Sequence, residues 1–153
     1  MAERCPEMAW RDDLRWPDGR EGSGWAGLAP AWGAEREEPP GVQRLLDGRQ
    51  LALEVIYPEA FPMTAPRLYP RDPRVPMERW TQHRWHVNGD GSLCLMQAAD
   101  DWQPTDVAAA LVSKAAGWFI EYLLIEQGDL ASMTVRGIYV SSEIDALLAA
   151  RFS

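Results

Sequence analysis

Cys94 lies in the run His86-Val87-Asn88-Gly89-Asp90-Gly91-Ser92-Leu93-Cys94-Leu95, and Trp102-Gln103-Pro104 follows eight residues after it. Asp90-Gly91 is a turn pair, so the thiol behind it is offered at a surface rather than sealed in a core strand. The nucleophilic form of cysteine is the thiolate, which makes up roughly a few per cent of an ordinary thiol at neutral pH. That fraction suffices to accept an acyl group from another thioester, because one C–S bond is exchanged for a similar one and the step is close to thermoneutral. Attack of an amine on the loaded thioester is harder, since it builds an oxyanion; one N–H donor aimed at that oxygen is worth about 3–4 kcal/mol. His86, through an imidazole N–H, or Asn88, through its side-chain amide, can supply that donor. Each has a structural alternative: a histidine that hydrogen-bonds backbone and holds the coil, and an asparagine beside Gly89 that tolerates φ > 0 in a turn.

Two other chemistries fit these residues less well. His83-x-x-His86 with Cys94 offers three metal ligands, but neither a fourth ligand nor a second cysteine pair accompanies them, as structural zinc requires. A papain-like protease needs its cysteine opening a helix and a histidine far downstream, whereas both histidines here precede Cys94. Cys5 has no comparable surroundings and reads as inert.

The segments that must hold Cys94 follow from local pattern. Residues 1 to 20, with Met8, Trp10, Leu14 and Trp16 among charges, predict a short amphipathic helix ended by Pro17-Asp18-Gly19. Gly24 to Ala34 suits a strand with irregular edges, and Glu35 to Gly41 a charged loop. Val42 to Leu46 and Gln50 to Tyr57 predict the two strands of a hairpin, with Asp47-Gly48 as its turn. Pro58, Pro62 and Pro66 remove backbone donors at regular spacing, so Tyr57 to Pro66 reads as a rigid connector, with Phe61-Pro62 its candidate cis bond. Arg67-Leu68-Tyr69 is a short strand, and Arg71 to Gln82 a polar surface segment.

Thr105 to Gln127 predicts the long helix. Thr105 is its cap, Asp106 complements its dipole, Leu111, Trp118, Phe119 and Tyr122 are among its apolar residues, and Gly128 ends it. Trp102, Pro104, Trp118 and Phe119 read as structural, and Ser142 to Phe152 predicts a last short helix. The plan is α+β: an antiparallel sheet of three or four strands packed on one long helix, with flanking shorter helices and Cys94 on a coil between.

Composition bounds the function. A chain of 153 residues fits one domain over 1–153, and 46% hydrophobic residues with eight tryptophans predict a packed core. A net charge of −8 without a Lys/Arg stripe argues against a nucleic-acid partner. The apolar stretch around Trp118, broken by Glu121 and Glu126, reads as too short to span a membrane. The first residues lack the order of a signal peptide, so a cytoplasmic location with reduced Cys5 and Cys94 is expected. Lys114 is the only lysine, against fourteen arginines. Genomic base composition accounts for that skew, and so does the advantage of few amines to a protein carrying an amine-seeking acyl group.

With strands, proline connector, cysteine coil and helix in this order, the chain resembles the ubiquitin-conjugating enzyme family. The matching pieces are Tyr57-Pro58-x-x-Phe61-Pro62-x-x-Ala65-Pro66, Gly91-Ser92-Leu93-Cys94-Leu95 and Trp102-x-Pro104, within residues 50 to 125. His86-Val87-Asn88 stands where the family has His-Pro-Asn; it lacks the proline, and the stretch to Gly91 is shortened. Counted back from the cysteine, His86 takes the place of the family's asparagine; counted by motif, Asn88 does. This shortened form, with Trp118-x-x-Glu121-Tyr122-Leu123 in the following helix, is similar to bacterial members found beside ubiquitin-like modifiers and activating enzymes in antiphage defence operons.

The resemblance implies the family's fold and a transferase that accepts a ubiquitin-like modifier from an activating enzyme as a thioester on Cys94. It would pass the modifier to an amine of a protein substrate without a cofactor of its own. Docking of the activating enzyme on the first helix carries over to Arg11 and Arg15. Glu126 and Asp129 lie where the family often places a carboxylate that helps deprotonate the amine, although solvated helix-end charges need no such role. The competing implication is a non-catalytic adaptor of the same fold that binds the modifier or a partner enzyme; family adaptors typically lack the cysteine.

Overall fold

Residues 1–96, 101–139 and 141–152 are described by the structure, a computed structural model. Four strands, β1 (Met8–Arg15), β2 (Glu21–Leu28), β3 (Ala52–Ile56) and β4 (Arg67–Asp72), form one open antiparallel sheet in chain order. The helices are α1 (Val42–Leu46), α2 (Gln82–Trp85), α3 (Ala108–Glu126) and α4 (Asp145–Phe152). The protein is therefore α+β, with one long helix, as its patterning predicts. Leu53, Val55 and Leu68 on one face of the sheet share a buried cluster with Val112, Phe119 and Leu123 of α3. Ile56 and Tyr69, on the other face, form a smaller cluster with Leu14, flanked by Trp16.

The predicted N-terminal helix is a strand. Pro17 to Gly19 form a hairpin loop, closed by Trp16 N–H to the Arg20 carbonyl at 3.0 Å, and β1 pairs with β2. The apolar residues of this segment mislead because the pairing register advances by one between Arg11 and Leu14. An extra residue in a strand reverses which face the following side chains occupy. Met8 accordingly packs in the main core and Leu14 in the cluster on the opposite face.

Val42 to Leu46 is likewise not a strand but one turn of helix, burying Val42, Leu45 and Leu46. Asp47 (φ 50°) and Gly48 (φ 77°) both adopt the left-handed conformation, which serves a helix C-terminus as well as a tight hairpin. Arg49 completes that end by donating to the carbonyls of Leu45 and Leu46. The strand predicted from Gln50 is confined to Ala52–Ile56.

Between β3 and β4 the proline connector carries a cis Phe61-Pro62 bond, as predicted; Asp72-Pro73 is cis as well. Helix α3 starts three residues later than its predicted Thr105 cap, and Val107 takes the capping position without a side-chain bond. Asp106 precedes the helix, and its carboxylate accepts the N–H of Gln103 at 2.7 Å. By length and composition α3 is sufficient to cross a bilayer, contrary to the reading from its charges, but it is almost wholly buried within the protein.

Candidate active site

From β4 the chain runs through a 3-10 turn (Met77–Arg79) into α2 and then reverses at His86, which adopts φ 49°, ψ 46° as the cap of α2. An isolated bridge between Val87 and Leu93 closes a miniature hairpin. Asn88 N–H donates to Ser92 O at 2.8 Å, and Cys94 N–H to His86 O at 2.8 Å. Gly91, at φ 86°, lies against Trp80; a Cβ there would come 3.0 Å from the indole. Left-handed backbone and close approach both call for glycine.

This hairpin is fastened to the sheet. Leu93 N–H donates to Leu68 O at 2.8 Å, and the Tyr69 hydroxyl donates to Asp90 Oδ2 at 3.2 Å. Asp90 also accepts from the Ser92 hydroxyl at 2.6 Å and from the Ser92 N–H at 3.0 Å. Burial works against the Asp90 carboxylate, but the bonds from Ser92 and Tyr69 outweigh it and hold its pKa below the ordinary value. Burial, and then the Asp90 charge, push the Tyr69 phenol well up.

A second fastening runs to α3, where the Trp118 indole donates to the carbonyl of Trp85, the last residue of α2, at 2.7 Å. The Arg79 guanidinium stacks 4.5 Å from the Trp85 ring centre and donates to the Tyr122 hydroxyl (2.8 Å) and Glu126 (3.0 Å). Past Cys94 the described coil reaches Met96, so the expected continuation over residues 97–100 lies outside the described residues. Trp102 is buried and its indole donates to Pro62 O at 2.8 Å, tying this end of the coil to the proline connector.

Cys94 and His86, both partly exposed, line a cleft of about 710 Å³. Its floor is a stripe of α3 in which Ala110, Lys114, Gly117 and Glu121 recur at helical spacing, and its far wall is the segment 133–139. Gly117 allows that wall to come close, for a Cβ would meet Ile138 Cγ2 at 3.1 Å. The buried carboxylate of Glu121 anchors the wall by accepting the Thr134 N–H at 2.8 Å. Burial raises the pKa of Glu121 against the opposing bonds from Thr134 and Ile138. Tyr139, pushed up to about 12 by burial, accepts the Gly33 N–H at 2.8 Å and joins the wall to residues 33–36.

His86 is brought into the cleft with Cys94. Its pKa is lowered, first by burial and then by His83, which favours the uncharged ring with one N–H donor and one acceptor nitrogen. Asn88 does not line the cleft, and its amide is spent in the turn. It donates to Ser92 Oγ at 3.0 Å and Leu93 O at 3.4 Å, while its oxygen accepts from Gln82 at 2.8 Å. Cys94 Sγ lies 3.7 Å from Met96 O, whereas Cys5 is fully buried, with its thiol pushed up by desolvation against the Arg4 charge.

The other named residues lie elsewhere. Arg11 and Arg15 stand on edge strand β1 instead of a helix. Arg11 makes a two-fold contact with Asp13 at 2.8 and 2.6 Å, and Arg15 pairs with Glu21 at 3.6 Å. Glu126 and Asp129 pair with Arg79 and Arg151, and neither lines the cleft. Among the described residues no group of His, Cys, Asp and Glu is arranged to hold a metal ion. Sequence reasoning passed over Gln82, Lys114 and Glu121 as cleft residues. The seven-residue interval between the last two placed them on one helical face, but nothing local said which way that face turned.

No protein-family model, no curated protein and no solved structure matches this chain. Fold and site together define an α+β protein presenting a partly exposed thiol at a cleft floored by its longest helix.

Proposed function

We propose that this chain is a ubiquitin-conjugating-like transferase with the fold of that family, working in a bacterial conjugation or antiphage defence system. Cys94 accepts a ubiquitin-like modifier from an activating enzyme and passes it to an amine of a protein substrate. The observation that carries the reading is the sharing of one cleft by Cys94 and His86, on a backbone locked by the Cys94 N–H to His86 O bond. The order of antiparallel sheet, proline connector, cysteine coil and long helix supports it.

In the loading step the Cys94 thiolate attacks the modifier's thioester carbonyl, a new C–S bond forms, and the activating enzyme's sulfur departs as a thiolate. In the transfer step an amine attacks the new thioester, His86 donates its N–H to the oxyanion, and the Cys94 sulfur leaves, taking up the proton the amine gives off. Arg11 and Arg15 keep their proposed part in docking the activating enzyme, now from the outer edge of the sheet.

Mixing the protein with activating enzyme, modifier and ATP should give an adduct that thiol removes. Cys94→Ser should give a thiol-resistant ester or nothing, and Cys5→Ser should behave as the parent. An adduct that persists in Cys94→Ala would place the chemistry on another residue, and tight binding of the modifier with no adduct would make the chain an adaptor.

A further inference from the structure

The one lysine of this arginine-rich chain stands in the Cys94 cleft. Lys114 is exposed on the α3 face that floors the cleft, one turn before Gly117 and two before Glu121. Three arginines line the same cleft: Arg4 bonds Ser113, Arg36 is held by Asp145 and the carbonyls of Ile138 and Ser141, and Arg136 is exposed on the segment 133–139. No hydrogen bond or ion pair among the described residues engages the Lys114 ammonium. What sets Lys114 apart from these arginines is its chemistry. A guanidinium stays protonated and is no nucleophile, whereas a lysine amine on a flexible four-carbon stem attacks carbonyl carbon once it has lost its proton.

We infer that Lys114 is an acceptor in cis, taking the acyl group of Cys94 onto its own Nζ. This rests on the reading of Cys94 as an acyl carrier and extends it to a modification site on the carrier itself. In the step, the unprotonated Nζ attacks the thioester carbonyl carbon, a C–N bond forms and the C–Sγ bond breaks. One amine proton passes to the departing sulfur, so the Cys94 thioester and the free Lys114 amine become a Lys114 amide and a free Cys94 thiol without an outside reactant. Donor and acceptor lie on one chain and line one cleft, which makes the reaction unimolecular and favours it over encounter between separate molecules at protein concentrations. An amide is far less reactive toward thiols and amines than a thioester, so the transfer runs one way and leaves the cleft occupied. Lys114 acylation therefore ends the carrier cycle unless an external amine arrives first.

The test uses the purified chain and a small acyl donor, the N-acetylglycylglycine thioester of mercaptoethanesulfonate, followed by intact mass and peptide mapping with and without added thiol. A thiol-labile adduct on Cys94 should appear first. A thiol-resistant one on Lys114 should then grow at a rate independent of protein concentration, and it should be absent from Cys94→Ala and from Lys114→Arg. Arginine matches lysine in helix propensity, so the second variant keeps the exposed helix position intact. Equal acylation of Lys114 in Cys94→Ala would mean direct aminolysis and overturn the inference. Loading of Cys94 with Lys114 left unmodified would overturn it while sparing the carrier reading. Failure to acylate either residue, while a free cysteine peptide in the same tube reacts, would overturn both.

Discussion

The amide of Cys94 and the carbonyl of His86 are joined by a 2.8 Å hydrogen bond across the miniature hairpin of residues 87–93. The backbone of Cys94 is thereby held by the residue whose ring shares its cleft, and that residue is itself in the left-handed conformation. Ring chemistry and backbone geometry at His86 are separable by substitution, because glycine and asparagine accept positive φ readily while alanine does not.

His86→Gly should keep the fold and most of the loading at Cys94 yet slow amine transfer by about a hundredfold or more, as expected for loss of one oxyanion donor. His86→Asn restores an N–H donor without strain and should recover part of that rate. Single-turnover measurements of loading and of transfer from preloaded protein check this; equal losses in both steps would mark His86 as a support for the coil.

Asn88→Ala removes the side-chain donations to Ser92 Oγ and Leu93 O and should lower stability by about 1–3 kcal/mol, read from the midpoint of urea unfolding. Transfer by the folded variant should fall little. A large loss of transfer with unchanged stability would move the oxyanion contact from His86 to Asn88.

Tyr69→Phe deletes the bond to Asp90 and should cost about 1–2 kcal/mol at neutral pH, since the acceptor is charged. Asp90 has a folded pKa below its ordinary value. Its stabilising effect is present above that ordinary value and is lost as pH falls through the folded one. The gap in melting temperature between parent and variant should therefore close in acid. A gap independent of pH would show that the phenol acts only through packing.

For Glu121 the sign is opposite, because burial raises its pKa. Its contribution is fully present below the ordinary glutamate value and declines as pH rises through the folded one, where a buried charge must be carried. Glu121→Gln retains an oxygen to accept the Thr134 N–H and carries no charge. Relative to the parent, its melting temperature should rise progressively from acid to neutral pH, whereas Glu121→Ala should lose about 1–3 kcal/mol by orphaning that N–H. A parallel pair of pH curves for parent and Glu121→Gln would contradict the burial argument.

Much of the site's scaffold could be read from local chemistry. Three spaced prolines enforce an irregular connector, Gly91 and Gly128 take the positive φ their turns need, and the apolar run from Ala108 to Ile125 forms α3. These features depend on residues near one another in sequence, where backbone sterics and side-chain type leave few choices. The errors arose where one local signal admits two structures. Asp47-Gly48 suits a helix end as well as a hairpin. Met8 and Leu14 suit a helix until the bulge in β1 puts them on opposite faces of the sheet.

The pairing of β1 with β2, and the burial of Val42, Leu45 and Leu46, resolved those cases. Tertiary structure likewise set apart the two candidate donors, since Ser92, Leu93 and Gln82 engage the amide of Asn88 while His86 lines the cleft with Cys94. The same holds for Lys114 and Glu121. Their spacing was written in the chain, but their sharing of a cleft with the thiol follows from which face of α3 the segment 133–139 and the cysteine coil cover. That choice belongs to packing across the whole fold, because burial of apolar area is non-directional and is settled only when every element competes for the same core.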